Sequence, residues 1–403
     1  MGRTILYVHP SDELYGSDRC LLDIVRSLPP EDRAIVVLPT DLPYSGAMSR
    51  ALEAAGARIE RVDMLVLRRA LLTPRNLPLL VRRLVGGTLA LARIIRHHDV
   101  DLVHSNTVAV VCGATAAALL RRPHLWHVHE HIGDEPKSYK ALIRLLLMIP
   151  PGGQVVANSR SVARALVGGS ARRLARTRLV ENSVNPDIRP IDRSGRDPAA
   201  LAVVGVVGRL SPRKGTAEAI QAAALLAERG ARFRMRFVGD VPPGRDDLRT
   251  EYRQLVQDLG VEDYVEFVGE VPDVQAELDG FDVLLLASQR PEPFGLVVIE
   301  GMAAGLPVVA TLNGGGSDEI LTHGVTGFYC GREPASIAAM LADLLWDADL
   351  RQRVGQAAAE VARRRYSAER YRASFARLYD WLAASRGRCR TCADAHIGQR
   401  SIT

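Results

Sequence analysis

Lysine is nearly absent from this chain: among 52 basic side chains in 403 residues, only Lys137, Lys140 and Lys214 are lysine. Arginine is the default cation, so each lysine marks a place that suits a compact point charge rather than a planar fork. Cysteine is also scarce. Five cysteines make no even framework for an extracellular disulfide scaffold. The one CxxC, Cys389 with Cys392, has no second ligand pair nearby, so no metal site is expected. No apolar run approaches the roughly 20 residues of a spanning helix, and the opening Met1 to His9 lacks the apolar core of a signal peptide. The expected location is cytoplasmic, either free or peripheral on the inner face of the membrane. The loop after Val8 lacks GxGxxG, which disfavours a dinucleotide oxidoreductase. Aromatics make up only 5% of the chain and do not interleave with the arginines, so nucleic acid is not an expected partner. No internal repeat recurs at a fixed period.

What is present is a rhythm of short apolar strands and helices, which predicts parallel sheets covered on both faces. The length and the 47% hydrophobic content allow two cores. The predicted domains are residues 1–184 and 185–366, with 186–198 as a Pro-, Asp- and Arg-rich linker. A terminal helix is expected over 367–385, with Tyr371, Phe375, Leu378 and Trp381 on one face. Residues 386–403 read as a disordered tail.

Two constellations stand out in the second half. Leu201 to Val207 reads as a strand, followed by the basic glycine-bearing loop Gly208-Arg209-Leu210-Ser211-Pro212-Arg213-Lys214-Gly215 and a helix over Thr216 to Glu228. Lys214 offers a point charge and Arg209 a bidentate fork, both suited to phosphate oxygens. Further on, Phe281 to Ala287 reads as a buried strand, and Glu292-Pro293-Phe294-Gly295 as the entry of a helix carrying Glu300. Pro293 is expected at or near the first helical position, Glu300 about two turns in, and the stop near Ala304 with Gly305 as cap. Eight residues of helix rise about 12 Å, an upper limit for the separation of the two carboxylates. Each carboxylate can accept two hydroxyl hydrogen bonds, the helix start between them suits phosphate, and Gly314, Gly315 and Gly316 offer further N–H groups.

Gly208-Arg209…Lys214-Gly215, Glu292-Pro293-Phe294-Gly295…Glu300 and Gly301 to Ala310 together resemble the family 4 glycosyltransferases of the GT-B fold. The likeness is strong from about Ala202 to Phe328 and looser before it. It implies an α/β protein of two Rossmann-like doubly wound domains facing a central cleft, with the C-terminal helix packing back on the first. It also implies retaining transfer of a sugar from a nucleotide-sugar donor to a glycan or lipid-linked acceptor, with neither metal nor cofactor. By the same resemblance Arg209 and Lys214 hold the donor pyrophosphate, Glu292 contacts the transferred sugar and Glu300 the ribose, while Phe294, Gly295 and Leu296 belong to the donor site.

In the first half, Gly16 stands where the family has a glycine loop leading into a helix, although Ser17 and Asp18 replace the usual small residue. His129, at the end of Leu125-Trp126-His127-Val128-His129, occupies the position of a histidine beside the donor sugar, and it joins Glu292 as a catalytic candidate. The alternatives left open are a nucleotide-sugar epimerase of the same fold and a catalytically idle membrane or assembly protein. A pyridoxal phosphorylase is disfavoured, because the second half holds no lysine besides Lys214.

Charge divides unevenly. Between Met64 and His98 lie seven arginines (68, 69, 75, 82, 83, 93 and 96) and no acid, interleaved with Leu, Val and Ile. An apolar helix over Ser138 to Ile149 is flanked by Lys137, Lys140 and Arg144. Such segments suit an anionic membrane surface or an ordinary solvated face.

Overall fold

A computed structural model describes residues 2–14, 16–68, 71, 73–191, 200–242, 244–271 and 273–384. The tail with Cys389 and Cys392, residues 192–198 of the expected linker, and Arg69 lie outside these described residues.

The chain forms two compact units, divided between Asn182 and Ser183 and again between Ala368 and Glu369. The first holds β1 (Thr4–Val8), β2 (Arg33–Pro39), β3 (Arg58–Val62), β4 (Leu102–Asn106), β5 (His124–Val128), β6 (Gln154–Ala157) and β7 (Thr177–Leu179). Their order is β3-β2-β1-β4-β5-β6-β7, every pair parallel. The second holds β8 (Ala202–Val207), β9 (Phe233–Val238), β10 (Val265–Gly269), β11 (Val283–Leu286), β12 (Val308–Thr311) and β13 (Phe328–Cys330). They run in the order β10-β9-β8-β11-β12-β13, again all parallel. Two Rossmann-like doubly wound domains are therefore present. The central strands are fully buried, as β1 and β4 show at every residue, because helices cover both faces of a parallel sheet.

In each sheet the strand order reverses once, between β1 and β4 in the first unit and between β8 and β11 in the second. Connections leave such a junction in opposite directions, opening a crevice at the carboxyl ends where ligands bind in this class of fold.

The terminal helix Ala368–Ala384 belongs to the first unit from Glu369 onward. Its inward face carries Tyr371, Phe375, Leu378, Tyr379 and Leu382, all buried. The Tyr379 hydroxyl bonds His104 Nδ1 at 2.8 Å, Phe375 stacks on the His104 ring, and Arg372 and Asp380 pair with Asp23 and Arg3.

The helix after β11 differs from its sequence reading. It spans Leu296–Ala303, with Gly295 as left-handed N-cap at φ 105°. Pro293 thus sits in the loop rather than at the first helical position. Glu300 is the fifth helical residue, little more than one turn in, so the helical rise before it is about 6 Å rather than 12 Å. The left-handed glycine delays the helix start, and spacing alone does not reveal that.

Candidate functional site

In the second unit, the turn after β8 and the turn after β11 meet. Gly208 and Leu210 keep the first turn tied to the neighbouring strand by backbone bonds to Val238 and Asp240, and Ser211 N donates to Thr216 Oγ1 at 3.0 Å. The turn closes on Gly215 at φ 72°, where a Cβ would lie 2.0 Å from the Ala287 carbonyl oxygen. Only glycine permits both the left-handed backbone and that approach. It brings Lys214 beside the end of β11, where its Nζ meets Glu292 Oε1 at 2.8 Å.

Glu292 is buried, and Ser288 Oγ donates to the same oxygen at 2.6 Å. Its own N–H donates to Asn313 Oδ1 at 3.2 Å and its carbonyl accepts from Gly316 at 2.6 Å. Gly315 must lack a side chain here, since a Cβ would stand 2.3 Å from the Glu292 backbone. Burial pushes the Glu292 carboxyl up, but Lys214 and Ser288, with Arg213 adding, more than offset this and hold it below the ordinary range. An ionised carboxylate with a half-exposed ammonium beside it can accept hydroxyl hydrogen bonds while presenting a cation to an anion.

The remaining sequence candidates of this unit fall as follows. Arg209 is exposed at the start of the same turn, and Glu300 is partly exposed on the helix beyond it. The Phe294 ring is buried in the apolar core, edge-on to Tyr366, so only its backbone could serve a ligand. Gly295 and Leu296 form the helix start. The three glycine N–H groups are not open for phosphate as read from sequence: Gly314 donates to Asp318, Gly315 to Asn313 and Gly316 to Glu292. Ser288 and Asn313, which hold Glu292, escaped sequence reading as site residues. Their position just past the buried strands β11 and β12 was the available signal.

The first unit carries a different set at its own junction. Gly16 opens the helix Gly16–Arg26, and Asp18 places a buried carboxylate in its first turn. An anion arriving at Gly16 would meet that like charge. His129 follows β5, half-buried, with its ring 4.0 Å from that of His127. Its Nε2 bonds Asn106 Oδ1 at 3.0 Å. Burial, with His9 adding and Asp18 opposing, pushes the His129 ring down to about 3, which makes it a poor proton acceptor at neutral pH. His127 is wholly buried with no hydrogen-bond partner for either ring nitrogen among the described residues, a core position rather than a ligand contact. Beside them, burial pushes the Glu130 carboxyl up to about 7 against the opposing backbone amides and Thr107. His9 was overlooked in the sequence. Thr107, next to Asn106, holds φ 128°, a strained state that costs a non-glycine residue about 1–3 kcal/mol.

Lys140 donates to the Gly133 carbonyl and Arg144 to that of Ala165. Arg68 is engaged by Asp41, Tyr44 and Pro10. These three cations are not the free basic face that the sequence suggested. The helix Leu77–His97 instead exposes an apolar row: Leu77 (59%), Val81 (50%), Val85 (53%) and Leu89 (44%) recur every fourth residue. Arg82, Arg93 and Arg96 are exposed on the same helix. Among the described residues no helix is long and apolar enough to cross a membrane, and no group of three His, Cys, Asp or Glu could hold a metal ion.

Residues 16–188 match the family described as Glycosyltransferase Family 4, and residues 188–361 the family Glycosyl transferases group 1. A D-inositol 3-phosphate glycosyltransferase of Corynebacterium efficiens is 37% identical over 182 residues, 43% of this chain and 42% of the relative. One of the same name from Streptomyces avermitilis is 33% identical over 248 residues, 57% of this chain and 52% of the relative. The chain thus spans about half the length of the curated relatives it matches. Among solved structures, Anabaena HepE in complex with UDP-glucose superposes with a TM-score of 0.79 at 26% identity, covering 94% of this chain and 99% of the other.

Proposed function

The chain belongs to the group 1 and family 4 glycosyltransferases of the GT-B fold, and from that premise we propose that it moves a sugar from a nucleotide-sugar donor to a hydroxyl of a glycan or lipid-linked acceptor, with retention at the anomeric carbon. The observation that carries this reading is the meeting of Lys214 and Glu292 at the β8–β11 junction, a cation and an ionised carboxylate in one crevice. Lys214 and Arg209 take the diphosphate, Glu292 takes hydroxyls of the sugar, and Glu300 those of the ribose. HepE was crystallised with UDP, with UDP-glucose, and with UDP and glucose, which favours a nucleotide-sugar donor for this chain as well.

Retention leaves the acceptor hydroxyl and the departing phosphate on one face of the sugar, where a phosphate oxygen can take the hydroxyl proton. No protein general base is then needed, in keeping with a His129 ring that resists protonation. We assign His129 to the sugar as a hydrogen-bonding residue. No metal or cofactor enters this scheme.

Thermal shifts with nucleosides, nucleoside diphosphates and nucleotide sugars test the donor assignment, since a ligand of the folded state raises the melting temperature. Lys214→Ala and Arg209→Ala are expected to lose diphosphate binding far more than nucleoside binding, each by about 1.5–3 kcal/mol for a charge-assisted bond. Equal losses for both ligands would reject the phosphate assignment. NMR of the first-formed product reads its anomeric configuration. Inversion would remove the same-face scheme.

The exposed apolar row Leu77, Val81, Val85 and Leu89, with Arg82, Arg93 and Arg96 on the same helix, supports a further part of the proposal: attachment to an anionic membrane surface, where a lipid-linked acceptor would reside.

A further inference from the structure

Three neighbouring strands of the first sheet end in polar residues that form one hydrogen-bonded chain: His9 follows β1, Asn106 ends β4 and His129 follows β5. Asp18 Oδ1 lies 2.7 Å from His9 Nε2, His9 Nδ1 lies 3.0 Å from Asn106 Nδ2, and Asn106 Oδ1 lies 3.0 Å from His129 Nε2. The chain has a direction that its own chemistry dictates. The Ser17 carbonyl oxygen, 3.2 Å from the Asn106 amide nitrogen, can only accept, so that end of the amide is the NH₂ group. His9 Nδ1 faces the same NH₂ and must accept, which leaves the ring proton of His9 on Nε2, pointing at the Asp18 carboxylate. Turning the amide over would set two acceptors against each other at Ser17. Asn106 therefore presents its oxygen to His129, and His129 Nε2 carries the proton.

We propose that Asp18, His9 and Asn106 are positioning residues that hold His129 as its Nε2–H tautomer, so that Nδ1 is presented as a hydrogen-bond acceptor for a substrate hydroxyl. The tautomer stands on the hydrogen-bond geometry alone, whereas the hydroxyl partner rests on the glycosyl-transfer reading above. Nδ1 of His129 makes no hydrogen bond among the described residues. Asp18 and His9 are almost wholly buried, as an anchor for a directional chain must be if water is not to scramble it. An acceptor that cannot donate selects a hydroxyl in its path and disfavours a carbonyl or ether at that place.

The test is ¹⁵N NMR of histidine-labelled full-length protein, with His129 assigned through His129→Gln. A protonated Nε2 and a bare Nδ1 are expected in the wild-type chain. A proton on Nδ1, or an even mixture of tautomers, overturns the proposal, and this measurement leaves Asp18, His9 and Asn106 unaltered. Asn106→Leu removes the acceptor of Nε2–H and is expected to give mixed tautomers and raise KM for the donor about tenfold. It should leave nucleoside diphosphate binding unchanged. Asn106→Asp keeps an oxygen facing His129, while its second oxygen opposes the Ser17 carbonyl and draws the His9 proton to Nδ1; it is expected to restore the Nε2–H signature of His129. Mixed tautomers in Asn106→Asp would show that packing rather than the acceptor sets the ring, and would overturn the role of Asn106. A wild-type Nε2–H signature with no change of KM in Asn106→Leu would overturn the hydroxyl contact. Failure of the glycosyl-transfer reading itself shows separately, as absence of any nucleotide-sugar binding while the tautomer persists.

Discussion

At the β1–β4 junction of the first unit the polar side chains are two imidazoles and an amide strung from one buried carboxylate, while at the β8–β11 junction of the second a lysine and a glutamate touch at 2.8 Å. Both sheets are parallel, and both reverse strand order once, so backbone topology is shared and the difference lies in the residues placed at the carboxyl ends. The first junction is built of directional hydrogen bonds and suits reading hydroxyl orientation. The second concentrates charge and suits gripping a diphosphate. The same fold rule thus yields two polar clusters with separate chemistry, and disturbing each should give a distinct signature.

The largest effect is expected at the charged junction. Removing Lys214 leaves Glu292 buried without its counter-ion, and breaking such a pair costs about 3–5 kcal/mol. Lys214→Ala should therefore unfold the second unit early as well as losing diphosphate. Because the stranded carboxyl would prefer its proton, Glu292→Gln in the Lys214→Ala background should recover much of the loss. Denaturant melts of the two single variants and the double variant measure this coupling. Simple additivity would show that the two side chains do not depend on each other.

Gly215→Ala comes next. The added methyl meets the Ala287 carbonyl and forces φ 72° on a residue with a Cβ, so a loss above about 1 kcal/mol is expected. Donor affinity should fall with it, since the same turn carries Lys214. Melting and diphosphate titration of this variant, beside Gly230→Ala as an unobstructed glycine of similar φ, separate the clash from the backbone strain.

Acid should distinguish the units. Burial pushes His124 down to about 3, with Arg176 adding, and holds His104 and His127 well below the ordinary histidine range, with neighbouring histidines adding. Their folded values lie below an unfolded value of about 6.5. The unfolded chain therefore binds more protons below that pH, and the stability these rings contribute is full above about 6.5 and lost as pH falls. His124 alone accounts for about 2 kcal/mol by pH 5. In the second unit the lowered acids are Glu292, Asp240 and Asp247, whose contributions are lost only below the ordinary carboxylate range of about 4. Glu130, raised to about 7, works the other way, since there the folded chain holds the extra proton, but the lowered rings of His104, His124, His127 and His129 outnumber it. Hydrogen exchange corrected for intrinsic rate should thus show first-unit strands loosening between pH 6.5 and 5 while second-unit strands hold. Parallel loosening of both units would deny the histidine account.

The units also differ in how much of each was legible in the sequence. Arg209, Lys214, Glu292 and Glu300 sit within short local patterns of glycine, proline and charge, and a rare lysine drew attention to the pair. Both sheets were readable as apolar strands alternating with helices. The start of the helix after Glu292 was not, because Gly295 takes a left-handed state that spacing does not encode. The first-unit chain joins residues 9, 18, 106 and 129, which meet only because β4 lies between β1 and β5. Its visible trace was modest: His9, Asn106 and His129 each stand at or just past the end of an apolar strand.

The smallest expected effect per residue concerns the surface, and it belongs to the first unit alone. Leu77, Val81, Val85 and Leu89 leave about half of each side chain in water, an arrangement that shallow insertion into a lipid interface would relieve. Each arginine near an anionic surface adds about 1 kcal/mol, screened over a Debye length of about 10 Å at 0.1 M salt. Co-sedimentation with vesicles rich in phosphatidylserine should therefore be salt-sensitive, and should weaken when Arg82, Arg93 and Arg96 become Ser. It should weaken further when Val81 and Val85 become Gln. Arg68→Ser serves as the contrast, because that side chain is largely covered where Asp41 and Tyr44 engage it, whereas Arg82, although paired with Asp63, stays exposed. A comparable loss from Arg68→Ser, or equal binding to neutral vesicles, would return the helix row to an ordinary solvated face and point to an acceptor in solution.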